Sequence, residues 1–465
     1  MKKSGTAKVS LSSLSDLLGL ERRKAFLFIF WLLPGTKARR QGLLSFQMKT
    51  KGVTYMEQEK KSSIAARMGF MGVFAVSCVL FGSHAGGGFA TGNQATQYYV
   101  GAGWLSPLMA ILAMGLLSLT IRECMVMYNS RGLKSYKELF EALYHPLDKL
   151  EWVFEIYFYI MVICAVGAVI AGAASLFEAV GVLPYAAAVV VVGAILLVLT
   201  IFGAKLVSQA STVMSVLILI CCAVIFLMGI GAKMPDISSI FTVKENPQGF
   251  LKPILNAFTY AGFQAVVIPT MIACGKPLKN SRNASRAMLW AFVINSIALV
   301  LSVIMLLGWY ADFTAAGQST LPSLFICKAL GKPYLYWFYN ISLFLCFIST
   351  GVTTVFGFVS RFETMKGLSR IKNITARRAV ISCFIMVLSM GVSMVGLDRI
   401  IKYGYGYCGY LGIILIIIPF LTVGVYKNRK YLKEHPEYSG MSAAEVRASK
   451  RANLSIADAM TGDEI

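Results

Sequence analysis

The residues from Gly82 to Gln94 combine a histidine, a glutamine and five glycines within an otherwise apolar part of the chain. They read GSHAGGGFATGNQ and follow the hydrophobic run MGFMGVFAVSCVL. Glycine costs a helix interior about 1 kcal/mol relative to alanine, so the stretch predicts a break in a helix. A broken helix frees backbone carbonyl groups that can ligate a cation, while its N-terminal half can receive an anionic group. Glycine also lets a ligand approach the main chain closely, because it has no Cβ.

The composition predicts that these residues lie within a membrane. The chain has 465 residues, of which 57% are apolar and 14% are charged, and its mean hydropathy is +0.67. Soluble domains have about 25% charged residues, so a soluble globular protein is excluded. The net charge of +22 is concentrated near the termini and in short loops, which is typical of cytoplasmic flanks and does not indicate nucleic acid binding.

The apolar blocks predict an all-α polytopic membrane protein with about ten transmembrane helices. The predicted spans are 68–100, 104–127, 150–179, 185–203, 206–231, 250–274, 286–309, 334–360, 376–396 and 403–426. Lysine and arginine are more frequent in alternate loops, which places both termini in the cytoplasm. We therefore expect a transporter-like helical domain over 66–427 and a cytoplasmic tail over 428–465. Residues 1–65 are basic and predicted to be disordered, and Met48, Met56 and Met68 are alternative starts.

A second irregular stretch, TYAGFQ, lies in the sixth predicted span and is followed by Pro269. With ten spans, the first and sixth are corresponding members of two five-helix halves that enter the membrane from opposite sides. Two interrupted helices in such positions indicate an inverted repeat with discontinuous helices one and six, which form a binding site between them. The predicted substrate-binding residues are Ser83, His84, Gly86, Gly87, Gly88, Phe89, Tyr157, Tyr260, Gly262, Phe263 and Gln264.

This pattern resembles the five-plus-five leucine-transporter fold of the amino acid–polyamine–organocation superfamily. Within it, GGGFATGNQ from Gly86 to Gln94 resembles the GAGFASGQE signature of the YkvI-type bacterial membrane proteins. The resemblance covers residues 68 to 426 and departs at Gln94, which replaces an acidic residue of that signature. It implies a secondary transporter in the bacterial cytoplasmic membrane, coupled to sodium and specific for an amino acid or similar zwitterion. The sodium ligands that it implies are Ala85, Gly88, Ser349, Thr350, Thr353 and Thr354.

Several alternatives stay open on the sequence alone. Membrane serine and threonine hydroxyls can instead bond back to their own helix. Proton coupling would use a titratable group, for which His84, Glu155 and Glu178 are candidates, although the fifth span has no lysine in its interior. A sensor that keeps the transporter fold would bind a solute without moving it. The stretch KYGYGYCGYLG, from Lys402 to Gly412, fits an outer gate or an interfacial aromatic belt.

Other classes of function are disfavoured. HAGGG is superficially like an esterase oxyanion loop, but no GxSxG nucleophile motif accompanies it, so an enzyme is not expected. The cysteines are scattered without a CxxC pair and histidine is rare, so neither a transition-metal site nor a disulfide framework is indicated. No cofactor is expected beyond a transported Na⁺ or H⁺. The expected partners are the lipid bilayer and a small-molecule substrate, with no nucleic acid, and the sequence does not indicate an oligomeric state.

Overall fold

Helices occupy the position of each predicted membrane span. The computed structural model describes residues 71–84, 86–275, 278, 281–362, 371 and 373–461, and these contain no β-strand. The predicted N-terminal region, 1–65, lies outside the described residues, as does Ala85. The all-α fold class predicted from the sequence is confirmed.

The helices of the first half are joined by short turns and run as follows: α1 Met71–His84, α2 Gly87–Ala90, α3 Asn93–Tyr98, α4 Ser106–Arg131, α5 Tyr136–Tyr144, α6 Glu151–Val180, α7 Tyr185–Val198, α8 Ala204–Ala232 and α9 Met234–Val243. Those of the second half are α10 Leu251–Gln264, α11 Ile268–Ala273, α12 Ser281–Ala315, α13 Pro322–Ala329, α14 Pro333–Phe362, α15 Ile374–Ser393, α16 Leu397–Glu434 and α17 Ala443–Thr461.

Eight of the described helical segments are long and apolar enough to cross a bilayer. A ninth candidate is formed by Val216–Ala232 with Met234–Val243, two helices that meet at a bend of 73°. The remaining predicted span, the first (68–100), corresponds to α1, α2 and α3, none of which is long enough to cross alone. Because this span is divided into short helices, only eight or nine helical segments are long and apolar enough to cross a bilayer, although ten spans were predicted.

Local sequence accounts for the ends of the long helices. Pro107 lies in the first turn of α4, where a missing N–H costs nothing, and Gly132 ends that helix with φ of 70°. Asn373 caps α15, because its side chain accepts a hydrogen bond from the Thr375 N–H at 2.9 Å. Gly181 ends α6 in the same left-handed conformation as Gly132, with φ of 76°.

The first and sixth spans are both irregular, as predicted, but in different ways. The first span ends its α1 segment at His84, resumes as α2, and turns again at Gly92, whose φ is 80°. The sixth span stays helical through TYAGFQ and then tightens into a 3₁₀ turn, Ala265–Val267, before α11. The first span is thus opened, whereas the sixth follows a continuous helical path.

Helix α10 of the sixth span crosses α16 at a contact made by glycines. A Cβ on Gly262 would lie 2.2 Å from the Gly409 carbonyl oxygen, and one on Gly412 would lie 2.2 Å from the Gly262 carbonyl oxygen. Such distances are far inside van der Waals contact, so only glycine allows this approach. Gly409 and Gly412 of KYGYGYCGYLG therefore serve helix packing.

The C-terminal helix α17 packs against the end of α4, at a part of the bundle that we name the basic end. The basic end consists of Arg131, Lys427, Arg447, Lys450 and the backbone that they contact. Arg447 donates to the Leu133 carbonyl at 2.6 Å, and Lys450 donates to the Arg131 carbonyl at 3.1 Å. The Lys427 ammonium donates to three carbonyl groups beyond and at the end of α5, including that of Leu143 at 2.8 Å. Positive side chains thus cap the C-terminal ends of α4 and α5.

Candidate functional site

Carbonyl groups of the irregular first span receive hydrogen bonds from other helices and from within the span. The Tyr339 hydroxyl, on α14, donates to the Ala90 carbonyl at 2.7 Å. The Ser323 N–H, at the start of α13, donates to the Thr91 carbonyl at 3.0 Å. Thr91 itself donates to the Gly88 carbonyl at 2.9 Å. The carbonyl groups of Gly88, Ala90 and Thr91 therefore all have donors. An irregular segment inside a membrane protein is stable only when its backbone groups are paired in this way.

A buried polar chain links the two irregular spans. The His84 Nε2 atom lies 2.8 Å from the Tyr260 hydroxyl oxygen. The same hydroxyl donates to Gln94 Oε1 at 3.3 Å. His84 is 2% exposed and Gln94 is 5% exposed, so this chain is shielded from solvent. The structure therefore brings three residues singled out in the sequence into one hydrogen-bonded group between the first and sixth spans.

Gln94 also packs against the glycine stretch. A Cβ on Gly88 would lie 2.3 Å from the Gln94 Nε2 atom, so Gly88 leaves room for this amide. The Gln94 amide contributes neutral donor and acceptor groups. The hydrogen-bonded group of His84, Tyr260 and Gln94 therefore carries no fixed negative charge.

Tyr157 stabilises the sixth span where its helix tightens. The Tyr157 hydroxyl approaches the carbonyl oxygens of Gly262 and Phe263, at 2.8 and 3.1 Å. These carbonyls precede the 3₁₀ turn, so α6 supplies a donor where the regular helical pattern changes. Tyr157 was expected in a substrate pocket, and the structure places its hydroxyl on the backbone of the sixth span.

The remaining predicted substrate residues lie around the same group. Phe89 is buried with its ring centroid 5.4 Å from that of His84. Phe263 is fully buried, and its ring contacts that of Tyr260 at a centroid distance of 4.8 Å. Gln264 is buried one helical turn after Tyr260, on the same face of α10. Ser83 is partly exposed at the end of α1.

The predicted cation residues of the eighth span divide into two groups. Thr350 lies beside the break, because a Cβ on Gly86 would be 3.5 Å from its Oγ1 atom. The Thr353 hydroxyl instead donates to the Ser349 carbonyl at 2.7 Å, within its own helix. Ser349 is buried and Thr354 is partly buried on the same helix. The structure therefore brings Thr350 to the first span and shows helix back-bonding for Thr353.

Two further polar contacts were not anticipated. At the start of α16, the Asp398 carboxylate accepts from the Thr320 hydroxyl at 2.6 Å and from the Asn93 amide at 2.5 Å. This joins the second part of the first span to the tenth span. The sequence hint was slight, since Asn93 stands at the end of the glycine stretch and Asp398 is an isolated acid before an apolar run.

Of the acidic candidates for proton coupling, Glu155 is paired. It accepts a hydrogen bond from Arg361 of α14, whose Nε atom also donates to the Tyr159 hydroxyl at 3.1 Å. Arg361 lies over the Tyr136 ring at 4.3 Å. This pair joins α6 to α14, near the start of α6 and the end of α14.

Sequence comparisons find no protein family and no curated protein that matches this chain, so the resemblance of residues 86–94 to YkvI-type proteins stays a prediction. Among solved structures, the chain is similar to a manganese transporter from Eremococcus coleocola, with 13% identity, a TM-score of 0.47 and coverage of 84% of this chain and 92% of that one. It is also similar to Mhp1 in an inward facing conformation, with 12% identity, a TM-score of 0.44 and coverage of 77% and 94%. Nothing about ligands follows from likenesses this distant.

Proposed function

We propose that this protein is a secondary active transporter, a sodium-coupled symporter of an amino acid or a similar small zwitterion, which works by alternating access. The observation that carries the proposal is the open break in the first span, which faces a hydroxyl of the eighth span on one side and a buried polar group on the other. Irregular backbone inside a membrane protein is tolerated where it is buried by neighbouring helices or lines a ligand site.

The cation site of this proposal lies between Gly86 and Thr350. A hydroxyl oxygen and nearby main-chain oxygens are hard ligands of the kind that bind a hard cation. Thr350 has this position, whereas the Thr353 hydroxyl is engaged by its own helix. Sodium would thus be held by the eighth span and the broken first span together, and its binding would favour the arrangement in which they meet.

The substrate site of this proposal centres on His84, Tyr260 and Gln94. It offers neutral hydrogen-bonding groups bordered by the rings of Phe89 and Phe263. A site with few polar groups and aromatic walls suits a small zwitterion with an apolar part. We place the basic end on the cytoplasmic side of a bacterial membrane, following the distribution of lysine and arginine.

The test is uptake of radiolabelled amino acids into proteoliposomes with an inward sodium gradient, compared with an equal potassium gradient. We expect Thr350→Val to lower the apparent sodium affinity about tenfold or more, because a charged ligand loses one oxygen partner. Thr353→Val is the matched control and should change it little. The site assignment fails if Gly87→Val and Thr354→Ala both leave sodium-dependent uptake intact.

Two other results would redirect the proposal. Binding of an amino acid without any uptake would indicate a solute sensor with a transporter-like fold. Uptake that follows a proton gradient and ignores sodium would indicate proton coupling, and Thr350→Val should then have no effect on the ion dependence.

A further inference from the structure

The last turns of α16 carry basic side chains on two different faces. Lys427 is turned into the bundle, where its ammonium donates to carbonyl groups at and beyond the end of α5. Arg429, Lys430 and Lys433 are exposed instead. Within the described part of the chain, Arg429 and Lys433 have no ion pair or hydrogen bond, and Lys430 has a long ion pair with Glu434 at 4.0 Å. The fold therefore leaves these three charges available to another molecule.

The three exposed cations line an open groove of about 400 Å³ on the surface of α16. The residues of this groove, which we name the α16 groove, are Thr422, Val425, Tyr426, Arg429, Lys430 and Lys433. From Thr422 onwards they recur three or four positions apart, which is the spacing of one helix face. Along this face the groove changes from apolar and aromatic to basic.

The length of α16 places this change at the edge of the bilayer. Tyr407 and Tyr426 are each 65% exposed, and exposed tyrosine is enriched at the two membrane–water interfaces. They lie about 28 Å apart along the helix, close to the thickness of the hydrocarbon core. Between them, Ile414 and Ile418 are exposed, as expected of side chains that face lipid. Arg429 follows Tyr426 by about 5 Å, so it lies at the level of the lipid phosphates.

We propose that the α16 groove binds an anionic phospholipid, with the phosphate held by Arg429 and Lys433. A guanidinium matches the geometry of a phosphate with two parallel hydrogen bonds, and an ammonium adds a further donor and charge. Basic residues that directly follow a membrane span attract anionic lipids in this way.

The apolar part of the groove favours a lipid over a soluble anion. The acyl chains of a lipid would cover Val425 and the ring of Tyr426, whereas a free phosphate would leave both in contact with water. The proposal is independent of the proposed function, because no residue of the α16 groove belongs to the proposed sodium or substrate site.

Native mass spectrometry of the full-length protein in detergent tests the groove. The probes are phosphatidylglycerol and phosphatidylcholine with the same acyl chains. We expect the first phosphatidylglycerol to bind with a Kd at least about tenfold lower than that of phosphatidylcholine. Arg429→Gln combined with Lys433→Gln should bring the two values to within about threefold. Lys149→Gln combined with Arg451→Gln is the matched control, since it removes the same charge at exposed positions outside the groove, and it should preserve the difference.

A gain of affinity provides the second arm of the experiment. Glu434→Gln removes the carboxylate that pairs with Lys430 and should strengthen phosphatidylglycerol binding about twofold to fivefold. Loss of folding does not produce such a gain, so this variant keeps the test decisive if the double variant is unstable. An excess of inorganic phosphate should displace no more lipid than acetate of the same ionic strength does.

The proposal is overturned if the unaltered protein binds the two lipids equally, or if the groove variant keeps the full preference. It is also overturned if the control variant loses the preference to the same extent, or if Glu434→Gln has no effect. Displacement of the lipid by inorganic phosphate would show a site for a soluble anion instead. These results are separable from the transport proposal, since amino acid uptake with no lipid preference would support transport and remove the lipid site.

Discussion

The first and sixth spans carry similar sequence signals but use their glycines differently. In the first span, Gly88 makes room for the side chain of Gln94, and Gly92 turns the chain with a positive φ. In the sixth span, Gly262 lies against the backbone of α16, and the helix continues through it. A glycine in a membrane helix therefore indicates that another group packs closely against the backbone at that position. Only the structure shows whether this group is another helix or a polar side chain.

The two spans also differ in how their polar groups are satisfied. In the sixth span, the carbonyl oxygens of Gly262 and Phe263 accept from the Tyr157 hydroxyl. Gly262 also packs directly against the backbone of α16. At the first span, the carbonyls of Ala90 and Thr91 receive donors from Tyr339 and from the Ser323 N–H, on two other helices. The first span therefore depends on donors from α13 and α14, whereas the sixth depends on one hydroxyl of α6 and on its crossing with α16.

The largest effect is expected from adding one carbon to the sixth span. Gly262→Ala would place a Cβ 2.2 Å from the Gly409 carbonyl, and neither backbone can move without separating α10 from α16. We expect a loss of about 3 kcal/mol in the free energy of unfolding, or failure to fold, because overpacking of rigid contacts is costly.

Thermal unfolding of the purified protein in detergent measures this effect. Gly391→Ala on α15 is the control, since a Cβ there would meet no atom within 4 Å. It should be neutral or slightly stabilising, as alanine favours a helix. An equal response of the two variants would show that Gly262 is not a packing residue.

A smaller but more specific effect is expected at the link between the spans. Tyr260→Phe removes the hydroxyl that joins His84 to Gln94 and leaves both without that partner. We expect it to destabilise the protein by about 2 kcal/mol, the usual cost of unsatisfied buried polar groups. It should also lower sodium-dependent amino acid uptake, because the proposed substrate site loses the hydroxyl at its centre.

Tyr157→Phe is the matched variant on the other span. It also removes one buried hydroxyl, which here contacts only backbone carbonyls. It should cost similar stability and leave sodium-dependent amino acid uptake largely intact. If both variants lose uptake equally, the proposed division of roles between the spans is wrong.

A still smaller change in stability is expected at Gly88. Gly88→Ala would place a Cβ against the Gln94 amide, which can rotate away, unlike the backbone that faces Gly262. We expect a net cost of about 1 kcal/mol or less, since the helical preference of alanine offsets part of the strain. Amino acid uptake should fall even so, because displacing Gln94 breaks its contact with Tyr260. Unchanged uptake with unchanged stability would remove Gln94 from the site.

Features that depend on neighbouring residues can be predicted from the sequence, whereas features that depend on contacts between distant residues cannot. Apolar length and charge placement are local properties, so the helices and their order follow from the sequence. The break at Gly86–Gly92 is also local, because glycine content sets it. The roles of Tyr339 and Asp398 depend on contacts between residues hundreds of positions apart, as with Tyr339 and Ala90 or Asp398 and Asn93. Single polar residues within apolar helices give no signal of which neighbour they meet.

The same reason explains Tyr157 and Thr353. Tyr157 was grouped with the substrate-binding residues by residue type, and Thr353 with the sodium ligands by the family resemblance. The Thr353 hydroxyl has an acceptor within its own helix at 2.7 Å, and the Tyr157 hydroxyl has one on α10 at 2.8 Å. A hydroxyl can serve a ligand or the backbone equally well, so residue type alone does not decide between these roles. The nearest available acceptor decides it.

The smallest effect on the site is expected from the basic end, which serves as an external reference for both spans. There the carbonyl groups at the end of α4 accept hydrogen bonds from charged side chains of the C-terminal helix, so the region resembles the sixth span in that the protein itself supplies the donors.

Arg447→Ala removes the donor to the Leu133 carbonyl. We expect faster hydrogen exchange of the α17 amides, by about fivefold to tenfold, because a charge-assisted hydrogen bond contributes about 1 kcal/mol or slightly more at a partly exposed site. Arg451→Ala, an exposed neighbour, should not change the exchange. Sodium-dependent amino acid uptake should be the same in both variants, since capped helix ends stabilise the fold without forming a ligand site. A loss of uptake in Arg447→Ala alone would instead show that the C-terminal helix is coupled to the first span.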